Sequence, residues 1–267
     1  MASASTDDPH PLRRSSSYEY LPPYMSELRV VLLGNSWSER SSVGNLILAK
    51  AVFSTEKEPN RCLTVRGPLK EKEIVLINTP DLLHPNISEH KLTEHVENCV
   101  RLCDPGPHVF LLVLQPEDFT EEHKLRLCRV LEKFSERSYD HSLVLISTPR
   151  KKSPALMEKY IGQPVLKDMI MKCRYRYLRQ KNLERPELLT GLGRTAKENS
   201  GEHVSCEIFQ DPTSTSAGDN QRTKHKEAKT TTLTDAVKAA GLQAYTKFSE
   251  QLSQLSLSEK TPVPHSE

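Results

Sequence analysis

The chain has 267 residues, enough for one full α/β domain with appendages and too few for two independent enzyme domains. Its 37 Lys and Arg stand against 35 Asp and Glu, and a net charge of +2 argues against the basic surface that nucleic acid binding requires. Only 36% of residues are hydrophobic while 27% are charged, so a polar excess must sit in segments that do not pack.

Residues 1–26 combine Ser, Pro and Asp around Arg13-Arg14-Ser15-Ser16-Ser17 and show almost no periodicity, which predicts a disordered tail. Two arginines ahead of three serines suit a basophilic kinase, whose phosphate would add charge there, although such runs are common in disordered termini. Met1-Ala2-Ser3 shows no basic region followed by an apolar stretch, and Ala2 stands where myristoylation requires glycine. From Glu27 onward short β-rich apolar runs alternate with helical stretches. Strands are predicted at Leu28–Leu33, Ile74–Ile77, Val109–Leu114 and Ser142–Ile146, with another around Cys62–Leu69. Helices are predicted at Ser42–Ala51, Glu89–Cys103, Thr120–Phe134, around Pro154–Cys173, and at Pro186–Glu198. Strands this continuously hydrophobic suit a sheet covered on both faces, so the expected fold is a three-layer α/β sandwich with a mostly parallel sheet. The domain is expected over residues 27–210.

After Cys206 the composition shifts, and Asp211–Thr232 reads as a flexible linker of Ser, Thr, Lys and Asp. Leu233, Val237, Ala240, Ala244, Phe248, Leu252 and Leu255 then recur at steps of three and four, an amphipathic helix over residues 233–257 followed by a disordered end at 258–267. Such a helix packs back on the domain or docks on a partner or a membrane surface. No apolar run approaches the roughly 18 to 20 residues of a membrane span, and the expected setting is cytoplasmic. Six scattered cysteines form no tight framework and are expected as reduced thiols. His95, Cys99 and Cys103 share helical spacing, but structural zinc wants four ligands and no fourth is evident.

Directly after the first strand comes Gly34-Asn35-Ser36-Trp37-Ser38-Glu39-Arg40-Ser41-Ser42, then the apolar helix start Val43-Gly44-Asn45-Leu46-Ile47. Strand, turn and helix stand where a phosphate-binding loop G-x-x-x-x-G-K-[ST] needs them. Gly34 and Ser41 keep the spacing, but Glu39 replaces the second glycine and Arg40 the lysine.

The loop and its continuation resemble the GTPases of immunity-associated proteins, the GIMAP family, septin-related members of the Ras-like GTPase fold. Ile77-Asn78-Thr79-Pro80-Asp81-Leu82-Leu83 is similar to the segment after that family's third strand. Asp104-Pro105-Gly106-Pro107-His108 through Phe119-Thr120 resembles the box around its fourth strand, and the likeness runs from about Glu27 to Cys206. The resemblance implies a guanine-nucleotide site for GTP or GDP with Mg²⁺, self-association through the nucleotide face, and association with the cytosolic face of intracellular membranes. The candidate nucleotide-binding set is Gly34, Asn35, Ser36, Ser38, Glu39, Arg40, Ser41, Ser42, Thr64, Lys181 and Asn182, with Ser41 as the Mg²⁺ ligand. Thr64 is nominated as a switch threonine, and Lys181-Asn182 match the region of a base-side loop.

The departures fall on the groups that handle phosphate and metal. A carboxylate at Glu39 would face phosphate; unit charges 4 Å apart repel by about 4 kcal/mol at an effective dielectric of 20. Asn78 stands where an aspartate would order the Mg²⁺ shell, removing a negative charge. The loop after the fifth strand reads Ser147-Thr148-Pro149-Arg150-Lys151-Lys152-Ser153, without the acid that guanine recognition wants. Arg150 could stack on a base, yet a run of like charges is more often a solvated loop. The expected function is an assembly and interaction protein with a degenerate site and no catalytic residue, the alternative a slow GTPase that cradles phosphate on Arg40, Ser41 and backbone N–H groups from Ser38 to Ser42.

Overall fold

A computed structural model describes residues 20–150 and 154–206. The chain divides into two units, Met1–Gln210 and Asp211–Glu267. The second unit, and with it the expected linker, amphipathic helix and end, lies outside the described residues, as do Ser15 to Ser17.

Six strands form one sheet in the order β2-β3-β1-β4-β5-β6. They are β1 (Glu27–Gly34), β2 (Leu63–Leu69), β3 (Lys72–Asn78), β4 (Val109–Leu114), β5 (Ser142–Ile146) and β6 (Tyr177–Arg179). Only β2, at an edge, runs antiparallel to its neighbour; Val30 in β1 lies opposite Leu76 on one side and Val109 on the other. The helices are α1 (Trp37–Leu48), α2 (Glu89–Leu102), α3 (Glu121–Phe134), α4 (Pro154–Ile161), α5 (Pro164–Lys172) and α6 (Arg185–Glu198).

Alternation along β1 divides the core. Leu28, Val30 and Leu32 pack with Val43 and Ile47 of α1 and Leu188 and Leu192 of α6. Val31 and Leu33 face the other way, into Val96 of α2, Leu127 and Leu131 of α3, and Ile170 of α5. Every residue of β4 and β5 is buried, so these strands read as unbroken apolar runs, as a doubly covered parallel sheet demands. Each such Leu or Ile contributes about 1.5–3 kcal/mol of burial. The expected three-layer sandwich is the fold observed.

Several boundaries moved. α1 begins at Trp37 rather than Ser42, because Ser36 is extended at the N-cap and the Arg40 N–H closes onto the Ser36 carbonyl at 3.1 Å. It stops at Leu48, where Ala49 turns left-handed with φ 53°. The stretch read as one helix from Pro154 to Cys173 is two, since Gly162 and Gln163 leave the helix and Pro164 opens the next at its first position. The three residues of β6 and a 3₁₀ turn at Glu136–His141 are too short to show periodicity and went unpredicted.

Two expectations are corrected outright. Residues 20–26 are not tail: Leu21 and Met25 are buried, and the Lys72 ammonium donates to the carbonyls of Leu21 (3.3 Å) and Pro22. Gly193 makes this approach feasible, since a Cβ there would sit 1.8 Å from the Tyr20 oxygen. Nor are all the cysteines thiols: Cys62, just before β2, and Cys99 of α2 form a disulfide with Cα atoms 6.0 Å apart. Cys103 and Cys173 are free and buried.

Candidate functional site

The site lies at the C-terminal ends of β1, β3 and β4, where parallel α/β sheets receive ligands. Gly34 ends β1 at φ 149°, and a Cβ there would fall 1.8 Å from the Val113 oxygen of the neighbouring β4, so the close approach of the two strand ends requires glycine. Asn35 then uses both ends of its amide on one neighbour: Nδ2 donates to the Gln115 carbonyl at 3.1 Å and Oδ1 accepts the Gln115 N–H at 2.8 Å. The Ser36 and Ser38 hydroxyls lie 3.3 Å apart, and Ser42 is exposed.

Because α1 starts early, the segment expected to wrap phosphate is its first turn. N–H groups from Arg40 onward enter the helix's own ladder, leaving those of Trp37, Ser38 and Glu39 at the open end. Glu39 occupies that first turn, where its carboxylate complements the helix dipole and makes a second anion unwelcome.

Arg40 points the other way. It is completely buried, its guanidinium donating to the Gly34 carbonyl at 2.5 Å and to the Thr79 carbonyl at 3.2 Å. Burial pushes its pKa down to about 10, with the Asp81 and Glu58 carboxylates pulling upward, so it remains a cation at neutral pH. Asn78, also buried, donates from Nδ2 to the Ser41 hydroxyl oxygen at 3.1 Å. Two buried atoms of this centre lack partners, Arg40 Nε and Asn78 Oδ1. Ser41 and Asn78 form the floor of a cleft of about 330 Å³, walled by the loop after α1, including Lys57, Glu58, Asn60 and Arg61.

The remaining candidates stand apart. Thr64 lies within β2 opposite Ile77 and shares that residue's face of the sheet, whereas Ser41 and Asn78 meet on the α1 side. Lys181 and Asn182 are exposed in the turn after β6; Asn182 has φ 60° and lines a separate cleft of about 650 Å³ with Tyr20, Lys70 and Glu184.

Sequence reasoning missed the residues that tie the loops after β4 and β5. Glu117 accepts the Arg150 N–H at 2.6 Å and also the Gln115 side-chain amide, while Asp118 pairs with the Arg150 guanidinium at 2.6 Å. The loop itself carries no acid, as read from the sequence, but β4 and β5 are adjacent and bring Glu117 and Asp118 to it from the neighbouring strand's end. Their position just past the end of a buried strand was the available signal. Arg150 is paired rather than simply solvated, and Lys151 and Lys152 lie outside the described residues.

A Mg²⁺-bound nucleotide triphosphate does not fit these side chains as they stand. The cation that should face phosphate is turned inward onto two carbonyls. Mg²⁺ takes one or two carboxylates, and the group bonded to the Ser41 hydroxyl is the neutral Asn78 amide, through its Nδ2. Among the described residues no three His, Cys, Asp or Glu are grouped to hold a metal ion, and no helix is long and apolar enough to cross a membrane.

Comparison with known proteins identifies the family. The AIG1 family model matches residues 28–225. Human GTPase IMAP family member 8 is 28% identical over 158 residues, 57% of this chain and 24% of that protein. Immune-associated nucleotide-binding protein 5 of Arabidopsis thaliana is 29% identical over 120 residues, 44% of this chain and 39% of that one. The chain thus spans less than half the length of these relatives. Among solved structures, Toc33 from Arabidopsis thaliana in complex with GDP and Mg²⁺ has a TM-score of 0.53 at 16% identity, covering 68% of this chain and 89% of that chain, a likeness of fold alone. A second Toc33 structure, described as showing that dimerization is important for GTPase activity, also has a TM-score of 0.53 at 16% identity, covering 69% of this chain and 87% of that chain. The family match spans most of the chain, including the strand, loop and helix that carry Gly34 to Ser41: the protein belongs to the AIG1 family.

Proposed function

We propose that this AIG1-type domain works as an assembly and interaction module that binds GTP or GDP weakly or not at all, because the side chains that would hold phosphate and magnesium are committed to other protein groups. The observation that carries the reading is Arg40, fully buried and committed to the Gly34 and Thr79 carbonyls. Asn78 on Ser41 and Glu39 in the first turn of α1 act in the same direction. Dimerization is described as important for the GTPase activity of Toc33, a protein of the same fold, and self-association through the nucleotide face is the assembly proposed here. Peripheral membrane docking through residues 233–257, on the cytosolic side, is the proposed attachment.

A slow GTPase is the second reading. It draws on Arg40 Nε and Asn78 Oδ1, buried polar atoms without partners that a repositioned loop would turn toward a ligand. Calorimetric titration of the full chain with GDP and a non-hydrolysable GTP analogue, with Mg²⁺, separates the two. No heat at millimolar nucleotide is the expected result. Micromolar binding that Ser41→Ala abolishes would overturn the proposal and establish the second reading.

A further inference from the structure

In P-loop GTPases the segments after α1 and after β3 are ordered by the γ-phosphate and Mg²⁺ and released on hydrolysis. We infer that in this protein Arg40 and Glu58 replace that ligand, holding both segments in one arrangement without nucleotide. The inference extends the reading above.

The ties run from end to end. Arg40 joins the end of β1 to the start of the segment after β3 through the Gly34 and Thr79 carbonyls. Glu58, from the segment after α1, accepts the Asp81 N–H at 3.1 Å, so the two segments bind each other directly. Asp81 accepts the Leu83 N–H at 3.0 Å, and Leu82 and Leu83 are buried. Arg126 of α3 holds the far end by donating to the carbonyls of His84 (3.2 Å) and Pro85 (2.9 Å). The other segment is fastened at its start by Asn45, whose side chain bonds Val52 and Phe53 backbone at 2.8–2.9 Å, and at its end by the Cys62–Cys99 disulfide. Between the segments opens a cleft of about 380 Å³ lined by Glu58, Asn60, Asp81, His84, Lys91 and His95.

Hydrogen exchange on the full chain, with thiol reductant present so that the disulfide is not what is read, tests this. Amides of residues 54–62 and 79–84 should exchange at equal rates without nucleotide, with GDP and Mg²⁺, and with a non-hydrolysable GTP analogue and Mg²⁺. Arg40→Ala should accelerate both segments by roughly tenfold or more, the loss of a charge-assisted hydrogen bond, and leave β5 unchanged. Glu58→Ala, an exposed change that spares folding, should accelerate residues 79–84. Arg40→Lys, which lacks a fork to span two carbonyls, should fall between. Fast exchange in the native chain that nucleotide slows would overturn the inference, as would native rates in both Arg40→Ala and Glu58→Ala. The calorimetry fails separately, since a chain that binds nucleotide yet keeps equal exchange rates would refute weak binding and leave the lock standing.

Discussion

Arg40 shows how the shape of a cation decides what it can hold. A lysine under a phosphate loop offers a compact ammonium, whereas the planar guanidinium fork reaches two carbonyls at once. Here those carbonyls are Gly34 and Thr79. Combining Glu39→Gly, Arg40→Lys and Asn78→Asp should therefore strengthen GDP binding by roughly a hundredfold or more, read by fluorescent-nucleotide titration. No gain would place the obstacle in the base-side loops instead. His108 makes a second prediction at this scale. Burial first, and then the Arg29 guanidinium 3.1 Å from its ring, push its pKa down to about 3. Below the ordinary imidazole pKa of about 6.5 the unfolded chain takes up a proton that the folded chain refuses. Stability is complete above that pH and falls as pH drops toward 3, by up to about 1.4 kcal/mol per unit. Burial holds the His141 pKa down too and adds to the slope. Urea midpoints measured from about pH 6.5 to pH 4 should fall steadily, and less steeply in His108→Gln.

Among the elements, α3 has the most complete entry. The Thr120 hydroxyl accepts the His123 N–H, and the His123 ring reaches back to the Thr120 N–H, a capping box with Glu121 and Glu122 in the first turn. Thr120→Ala should cost about 1 kcal/mol in equilibrium unfolding. The bond between Cys62 and Cys99 closes a separation of 37 residues, so Cys99→Ser should cost up to about 4 kcal/mol on the chain-entropy account. A native-like midpoint in that variant would mean the neighbouring packing of α2 suffices alone. α1 carries the functional consequence. Its first turn extends over residues that would otherwise form an open loop, and an added turn of helix is an added set of consumed N–H groups.

At the scale of the molecule, β4 runs through the centre of the sheet with both faces covered. Leu111→Ala there should destabilise by about 2–5 kcal/mol, measured by denaturant unfolding. The sheet was legible because buried parallel strands are apolar along nearly their whole length: the bounds expected from sequence, Val109–Leu114 and Ser142–Ile146, are those of β4 and β5. The segment at 20–26 was not, since two buried side chains beside consecutive prolines carry no period. The candidate site was legible as a list and not as an arrangement. Gly34, Glu39, Arg40, Ser41 and Asn78 could be named from strand, spacing and charge, whereas Thr64 followed its strand to the opposite face. Glu117 and Asp118 came to Arg150 only because β4 pairs with β5. Local pattern by itself determined the fold class, the place of the phosphate-type loop and the charges on it, because periodicity and sequence spacing are properties of neighbouring residues. Only the tertiary structure decided which way Arg40 turns, what Asn78 holds and which cysteines pair. Those choices depend on carbonyls, hydroxyls and thiols supplied by distant segments, and a buried polar group takes whichever partners the packing leaves beside it.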